Sequence, residues 1–227
     1  MITKILIFLN LIVFCYFNSQ LKMECNINFI DKKATVILLN TTNNNVVIPI
    51  DKHSLRPYFN DICLDLSQYQ FDYPVLGPSI LIHKNDSILE SSSSGDIGND
   101  LAIIENESKK RKANINKYEN DIRLWQKLHH IKSFEEAKIN YYVYNNLMFL
   151  KPKEKIVLEF YFDLNNITKE KYMNYFYRLE SGQNYSLNIS LKINECIYNY
   201  LTGYQKSKLK KYKLFYGTIV SNKIELK

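Results

Sequence analysis

Lysines and tyrosines lie close together near the carboxyl end of the chain, and they form the segment with the clearest chemical potential. The candidate patch comprises Tyr204, Lys206, Lys208, Lys210, Lys211, Tyr212 and Lys213. Ammonium groups bind phosphate or sulfate, and tyrosine rings stack on flat or sugar surfaces. The segment therefore predicts a surface for an anionic ligand. The alternative is a solvated sheet edge whose lysines prevent strands of neighbouring molecules from pairing.

Groups that could support catalysis are scattered through the sequence. The histidines are His53, His83, His129 and His130, and the sequence contains neither a Gly-x-Ser-x-Gly elbow nor a His-Glu-x-x-His motif. His129 and His130 are adjacent on a predicted helix, so they point in different directions and do not easily share a metal. Cys63 with His53 or His83 would make a thiol dyad, but a buried or disulfide-bonded cysteine is favoured. We therefore predict no catalytic residue, metal or cofactor, with a hydrolase as the least favoured class.

Composition favours a folded chain. The protein has 227 residues, of which 46% are hydrophobic and 23% charged, and its formal net charge is +7. These proportions exclude wholesale disorder. Only 6 glycines and 5 prolines are present, which excludes collagen-like chains and glycine-rich phosphate loops.

The amino terminus has the order of a secretory signal peptide. Lys4 precedes an apolar run over residues 5–17, and a small polar patch follows at residues 18–20. The run is too short for a transmembrane helix, which needs about 20 residues. An uncleaved core segment is the alternative. Cys15 follows a bulky phenylalanine, which argues against lipidation. The sequence therefore predicts a signal peptide over 1–20 and an exported protein, in the periplasm, at the cell surface or secreted, without a transmembrane span. A nucleic-acid partner is not expected after export.

Three cysteines remain after the predicted cleavage. Cys25, Cys63 and Cys196 are an odd number, so one of them must stay free or pair elsewhere in an oxidising compartment. We expect a disulfide between Cys25 and Cys63, and a pair that involves Cys196 is the alternative.

Alternating apolar residues predict strands on both sides of the middle of the chain. Residues 34–40 and 46–50 flank an asparagine-rich turn and predict a hairpin, and Pro49 places the second strand at a sheet edge or ends it there. Residues 141–150 are a further candidate strand. Residues 185–193 alternate most regularly, which predicts one dry and one wet face.

A helical insertion is predicted at about residues 96–138, after a flexible polar link at 90–98. Tyr118, Ile122 and Trp125 recur at helical spacing, and Leu128 continues this apolar stripe. Ser133 begins a capping-box pattern for a second helix. The stripe packs in the core or, if exposed, forms a partner helix.

The order of strands, helices and strands indicates one mainly β domain over 21–227. Residues 36–42, the run to Pro49, the turn at 150–154 and the closing segment 217–222 resemble bacterial exported immunoglobulin-like domains. The resemblance covers about two thirds of the mature chain and excludes residues 90–139. It implies an immunoglobulin-like antiparallel β-sandwich with an α-helical insertion, and it implies no chemistry.

These observations favour a non-enzymatic exported binding protein for a protein partner or a component of the cell envelope. The alternative is an exported inhibitor or immunity-like protein that acts through the helical insertion. The sequence does not indicate the oligomeric state.

Overall fold

Strands dominate the part of the chain that the structure, a computed structural model, describes: residues 20–58, 73–85, 87–94, 101–167 and 174–226. The strands are β1 (Leu21–Asn28), β2 (Lys33–Asn40), β3 (Val46–Pro49), β4 (Arg56–Pro57), β5 (Ser79–Lys84), β6 (Ser87–Leu89), β7 (Ser92–Ser94), β8 (Leu147–Leu150), β9 (Lys155–Tyr161), β10 (Asn174–Phe176), β11 (Tyr185–Ile193), β12 (Lys213–Leu214), β13 (Gly217–Val220) and β14 (Ile224–Leu226). The helices are α1 (Leu101–Leu128), α2 (Phe134–Asn145), a 3-10 helix (Glu195–Tyr200) and α3 (Gly203–Leu209). The fold is mainly β with several antiparallel sheets and a few helices, which confirms the predicted class at this level.

The first sheet has the order β1-β2-β9, and both of its pairings are antiparallel. Burial alternates along β1 and β2, so every second side chain points inward. Asn28 helps to close the turn between them, because its side-chain oxygen accepts hydrogen bonds from the amides of Ile30 and Asp31.

The second sheet has the order β13-β11-β5-β4, with β14 also paired to β11 and β6 to β5. β11 is central, and its alternate residues from Tyr185 to Ile193 are buried. The prediction of a wet opposite face is wrong for Ser186 and Ser190, which are also buried. Serine side chains are short, so larger side chains paired with them on the neighbouring strands, such as His83 and Glu225 beside Ser186, limit their access to solvent.

The third sheet has the order β12-β3-β8, and β7 pairs separately with β10. The predicted hairpin between residues 34–40 and 46–50 is wrong, because β2 and β3 belong to different sheets. Pro49 is the last residue of β3, as one of the two predicted alternatives requires. β12 pairs only with Val46 and Val47, so the proline does not interrupt that ladder.

Apolar side chains from the three larger sheets and from α2 form one buried cluster. Ile139 and Val143 of α2 are part of it and lie four residues apart on one helix face. The core therefore fixes α2 against the sheets, and α2 in turn positions the neighbouring helices.

The helical insertion is present but has different limits. α2 begins after Ser133, whose hydroxyl accepts a hydrogen bond from the amide of Glu136 at 3.1 Å, as predicted. It continues to Asn145, so the strand prediction is wrong for residues 141–145. Aromatic and β-branched residues there favour a strand, but helical spacing puts their buried members on the core side. The predicted flexible link is also partly wrong, because Ser92–Ser94 form β7.

The predicted signal peptide lies outside the described residues except for its last position. In the described part of the chain, the helices lack a segment with the length and apolar character needed to span a bilayer.

Candidate ligand-binding site

The basic segment folds as a short helix, α3, followed by a turn. Thr202 caps the helix: its hydroxyl accepts a hydrogen bond from the Gln205 amide at 3.2 Å, and the Gln205 side-chain oxygen accepts one from the Thr202 amide at 2.8 Å. Such a reciprocal pair satisfies two amides at the helix start. The alternative of a lysine-protected sheet edge therefore does not describe residues 206–211, and only Lys213 lies on a strand.

A buried polar contact between Asn140 and Gln205 joins α3 to the other helices. The amide of Asn140 donates to the Gln205 side-chain oxygen at 2.7 Å, and the Gln205 amide donates back at 3.1 Å. Asn140 also donates to the carbonyl of Tyr200 at 2.7 Å and accepts from the Trp125 indole at 2.8 Å. One side chain therefore holds α1, the 3-10 helix and α3 around α2.

A cavity of about 390 Å³ lies between the 3-10 helix, α3 and the segment that follows α3. Its lining residues are Glu195, Tyr198, Asn199, Leu201, Lys206, Leu209, Lys210, Tyr212, Leu214 and Tyr216. Small-molecule sites commonly have volumes of about 300 to 1,000 Å³. The cavity is thus large enough for a small ligand or for one group of a larger one.

The lining contributed by Tyr198 is rigid and uncharged. Its hydroxyl lies 2.7 Å from the Phe215 carbonyl and 3.2 Å from the Val47 carbonyl. Burial raises the pKa of Tyr198 well above that of an ordinary phenol. This side chain therefore acts as a fixed wall that links the cavity to β3.

Two cations and an exposed edge of aromatic rings provide the polar part of the cavity. Lys206 and Lys210 are four residues apart, so their ammonium groups extend from one side of the helix. The ammonium group of Lys206 is 3.5 Å from the carbonyl oxygen of Asn199. Tyr212 packs on Phe149 with ring centroids 4.9 Å apart, which limits the movement of its ring. This combination suits an anionic group attached to a flat or cyclic body.

The structure divides the predicted patch. Lys206, Lys210 and Tyr212 line the cavity, whereas Lys208 and Tyr204 pair on the outer side, with the ammonium group 4.4 Å from the ring centroid. Lys211 lies 5.4 Å from the ring centroid of Tyr212. The remaining member, Lys213, belongs to β12. Sequence reasoning missed Glu195 and Asn199, because a six-residue 3-10 helix has no distinctive periodicity.

The predicted partner helix lies beside α2. Ile122 is fully buried, and Tyr118 and Trp125 are half-buried. Both of these rings contact Tyr141 edge to face, at centroid distances of 5.6 and 5.4 Å. These three positions of α1 therefore contribute to the helix packing that the core alternative requires.

After Trp125, the side of α1 that packs on α2 continues with a residue other than the predicted one. Leu128 is 71% exposed, so the prediction that it continues the stripe is wrong. His129 takes that place, four residues after Trp125, and its ring centroid lies 3.8 Å from the indole. Burial lowers the pKa of His129, and the positive charges of Lys208 and His130 lower it further. The two candidate surfaces of the sequence thus meet at His129 and Lys208.

The structure describes two of the three cysteines in the disulfide prediction. Cys63 lies outside the described residues, so its pairing stays a prediction. Cys25 is buried on β1, where burial raises the pKa of its thiol to about 12, and Cys196 is exposed. Within the described ranges, no group of three or more His, Cys, Asp or Glu side chains could hold a metal ion.

Comparisons of the chain with known proteins found no significant match. No protein-family model matches the chain, and no curated protein or solved structure is significantly similar to it.

Proposed function

We propose that this protein is a non-enzymatic binding protein whose cavity beside α3 takes an anionic group. The observation that carries the proposal is the position of Lys206, Lys210 and Tyr212 on the same cavity of about 390 Å³. Ammonium groups offset the charge of a phosphate or sulfate, and the tyrosine ring contacts the body that bears it.

The titratable groups on the cavity wall support binding rather than catalysis. Among the described residues they are two lysines, one glutamate and three tyrosines, without a histidine or cysteine. Nucleophilic catalysis would need an activated nucleophile with an adjacent base. A glutamate on the same wall instead limits the net positive charge and favours a ligand with its own hydrogen-bond donors.

An exported protein would meet such ligands in the cell envelope, and we propose a sulfated or phosphorylated envelope component as the partner. The signal-peptide pattern over residues 1–20 supports export, in the periplasm, at the surface or in the medium. The proposed architecture is an immunoglobulin-like antiparallel β-sandwich. The single core that joins the β1-β2-β9 sheet to the β13-β11-β5-β4 sheet supports it.

Charge reversal tests the cavity with a matched control. The variant Lys206→Glu/Lys210→Glu changes the cavity, and Lys208→Glu/Lys211→Glu changes the outer side of the same helix and turn by the same net charge. The probes are a heparin-derived sulfated oligosaccharide and phosphatidylglycerol vesicles, compared at equal ionic strength. The two probes distinguish a sulfated glycan from a lipid head group.

We expect the cavity variant to lose about tenfold or more in affinity, because each exposed ion pair contributes up to about 1 kcal/mol and tenfold corresponds to about 1.4 kcal/mol. The outer variant should change affinity by less than about threefold. An equal loss in both variants would show that net charge alone drives binding and would contradict the cavity proposal.

An inhibitor that acts through the helical insertion is the second candidate. Leu124 and Leu128 support it, because they are 65% and 71% exposed on the side of α1 that α2 does not cover. Large exposed apolar side chains that lie close together mark many protein interfaces. In a pull-down with envelope extract, Leu124→Glu/Leu128→Glu should abolish capture of a partner, and unchanged capture would exclude this surface.

A further inference from the structure

A second cavity, of about 440 Å³, lies between α1, α2 and the segments at residues 51–54 and 73–74. Its lining residues are Asp51, His53, Ser54, Tyr73, Pro74, Tyr118, Tyr141, Tyr142, Asn145 and Asn146. The helical insertion supplies the tyrosines at 118, 141 and 142, and the segment after β3 supplies the acid. The two cavities therefore differ in the sign of the charge that they present.

The carboxylate of Asp51 is the only charged carboxyl group on this cavity among the described residues, and it is buried, with 6% of its surface exposed. Its oxygens accept hydrogen bonds from the His53 amide at 2.9 Å and from the Tyr142 hydroxyl at 2.8 Å. Both donors are neutral. In the part of the chain that the structure describes, no lysine or arginine nitrogen lies within 4.0 Å of it.

The hydroxyl of Tyr142 is oriented by a second contact. It accepts a hydrogen bond from the backbone amide of Leu76 at 3.0 Å, so its own proton points to Asp51. Two hydrogen bonds hold the carboxylate in place, and neither donor, among the residues that the structure describes, supplies an opposite charge. A buried carboxylate is costly unless it is paired, and a cationic ligand would pair it.

Tyrosine rings form part of the remaining wall, beside His53, Ser54, Pro74, Asn145 and Asn146. Tyr118 and Tyr141 pack edge to face at 5.6 Å, and Tyr73 packs edge to face on Tyr175 at 6.1 Å. The face of an aromatic ring carries negative potential and attracts alkylated ammonium groups, which lose little hydration on entering an apolar site. A metal ion would need several oxygen or nitrogen ligands, and one carboxylate does not provide them.

We propose that this cavity binds an organic ammonium ion, with Asp51 as the counter-charge and the rings of Tyr73, Tyr118 and Tyr141 around the alkyl groups. The site is separate from the anion site beside α3. The two sites are lined by different residues, so each is tested with its own probe.

The test compares choline with 3,3-dimethyl-1-butanol, which has the same shape without the charge. Trp125 is the single tryptophan of the chain and contacts Tyr141 at 5.4 Å, so its fluorescence reports on this wall of the cavity. Both titrations use wild-type protein in buffer with constant chloride. We expect choline to bind at least about tenfold more tightly than the neutral alcohol. Equal affinities, or no response to choline up to about 50 mM, would overturn the proposal.

Two variants assign the effect to the cavity. Asp51→Asn keeps the acceptor for the Tyr142 hydroxyl but removes the charge, and it should weaken choline about tenfold while leaving the neutral alcohol unchanged. Tyr118→Leu should weaken choline severalfold. Lys206→Glu/Lys210→Glu should leave choline binding unchanged, which separates this site from the anion site. If Asp51→Asn does not fold, the comparison of the two probes on wild-type protein and Tyr118→Leu still decides, and a choline affinity that Tyr118→Leu does not change would contradict the ring assignment.

Discussion

Replacing Asn140 with alanine should show how far one side chain supports the helices around the anion site. Asn140 is 99% buried and contacts Trp125, Tyr200 and Gln205. The Asn140→Ala variant removes the partner of three groups: the Tyr200 carbonyl, the Gln205 amide and the indole N–H of Trp125. The Gln205 oxygen keeps its bond from the Thr202 amide, so it is not counted.

The expected loss follows from these three groups. Each buried polar group that loses its partner costs about 1 to 3 kcal/mol. Two of the three contacts are only partly buried, so the lower end applies and the free energy of unfolding should fall by about 3 kcal/mol. For a chain of this size, 1 kcal/mol corresponds to about 2 to 4 °C, which predicts a Tm lower by about 6 to 12 °C. Urea unfolding followed by Trp125 fluorescence gives the free energy, and calorimetry gives the Tm.

Asn145→Ala is the matched control on the same helix. Asn145 is exposed, and among the described residues its side chain donates only to the Tyr141 carbonyl one turn earlier, so this variant should change stability by less than about 0.5 kcal/mol. A loss below about 1 kcal/mol in Asn140→Ala would refute the hydrogen-bonded junction. A double-mutant cycle with Gln205→Ala adds a second test, because contacting partners should show a coupling of about 0.5 to 3 kcal/mol.

Three further variants and measurements probe other parts of the structure. Iodoacetamide at pH 8 should modify Cys196 in the reduced folded protein but reach Cys25 only after unfolding, because burial raises the pKa of the Cys25 thiol to about 12. Peptide mass spectrometry would identify the labelled cysteines, and labelling of Cys25 before unfolding would contradict its burial. Tyr142→Phe removes a hydroxyl that both donates and accepts, so urea unfolding should show a loss of about 2 to 4 kcal/mol, and a neutral result would contradict the oriented contact. The pKa of His129 is lowered in the folded state, so the folded protein favours the neutral imidazole, and the stability that this preference gives is lost as pH falls below about 6.5. NMR titration of Lys208→Ala should show a higher His129 pKa than wild type, and an unchanged value would exclude Lys208 as a cause.

Local features of the sequence predicted local structure well. Alternation over residues 185–193 identified the central strand β11, and Ser133 identified the start of α2. Both signals depend on residues within one turn or one strand. The limits of α2 were not predictable in the same way, because residues 141–145 favour a strand until the helix packs on the core.

Strand pairing depends on contacts between distant segments, and the sequence pattern does not encode the partners. β2 pairs with β9, which follows it by more than one hundred residues and the whole helical insertion. The asparagine-rich turn after β2 therefore indicated a hairpin although β3 joins another sheet. The signal identified two strands correctly and their relation wrongly.

The sequence predicted the residues of one cavity but not those of the other. Lys206, Lys210 and Tyr212 stand in a dense basic segment, so composition identified them. Asp51 follows a short strand in a context that suits an ordinary turn, and its partner Tyr142 is 91 residues away. Only the fold brings a buried carboxylate and this hydroxyl together.

The placement of both cavities follows from the geometry of α2. Asn140 and Tyr142 are two residues apart, so their side chains point about 200° apart around the helix axis. Asn140 accordingly contacts the elements around the basic cavity, and Tyr142 contacts Asp51 in the acidic one. Val143 and Ile139 are buried and hold α2 against the sheets. The hydrophobic core therefore fixes the helix, which directs Tyr142 to the acidic cavity and Asn140 to the helices that form the basic one.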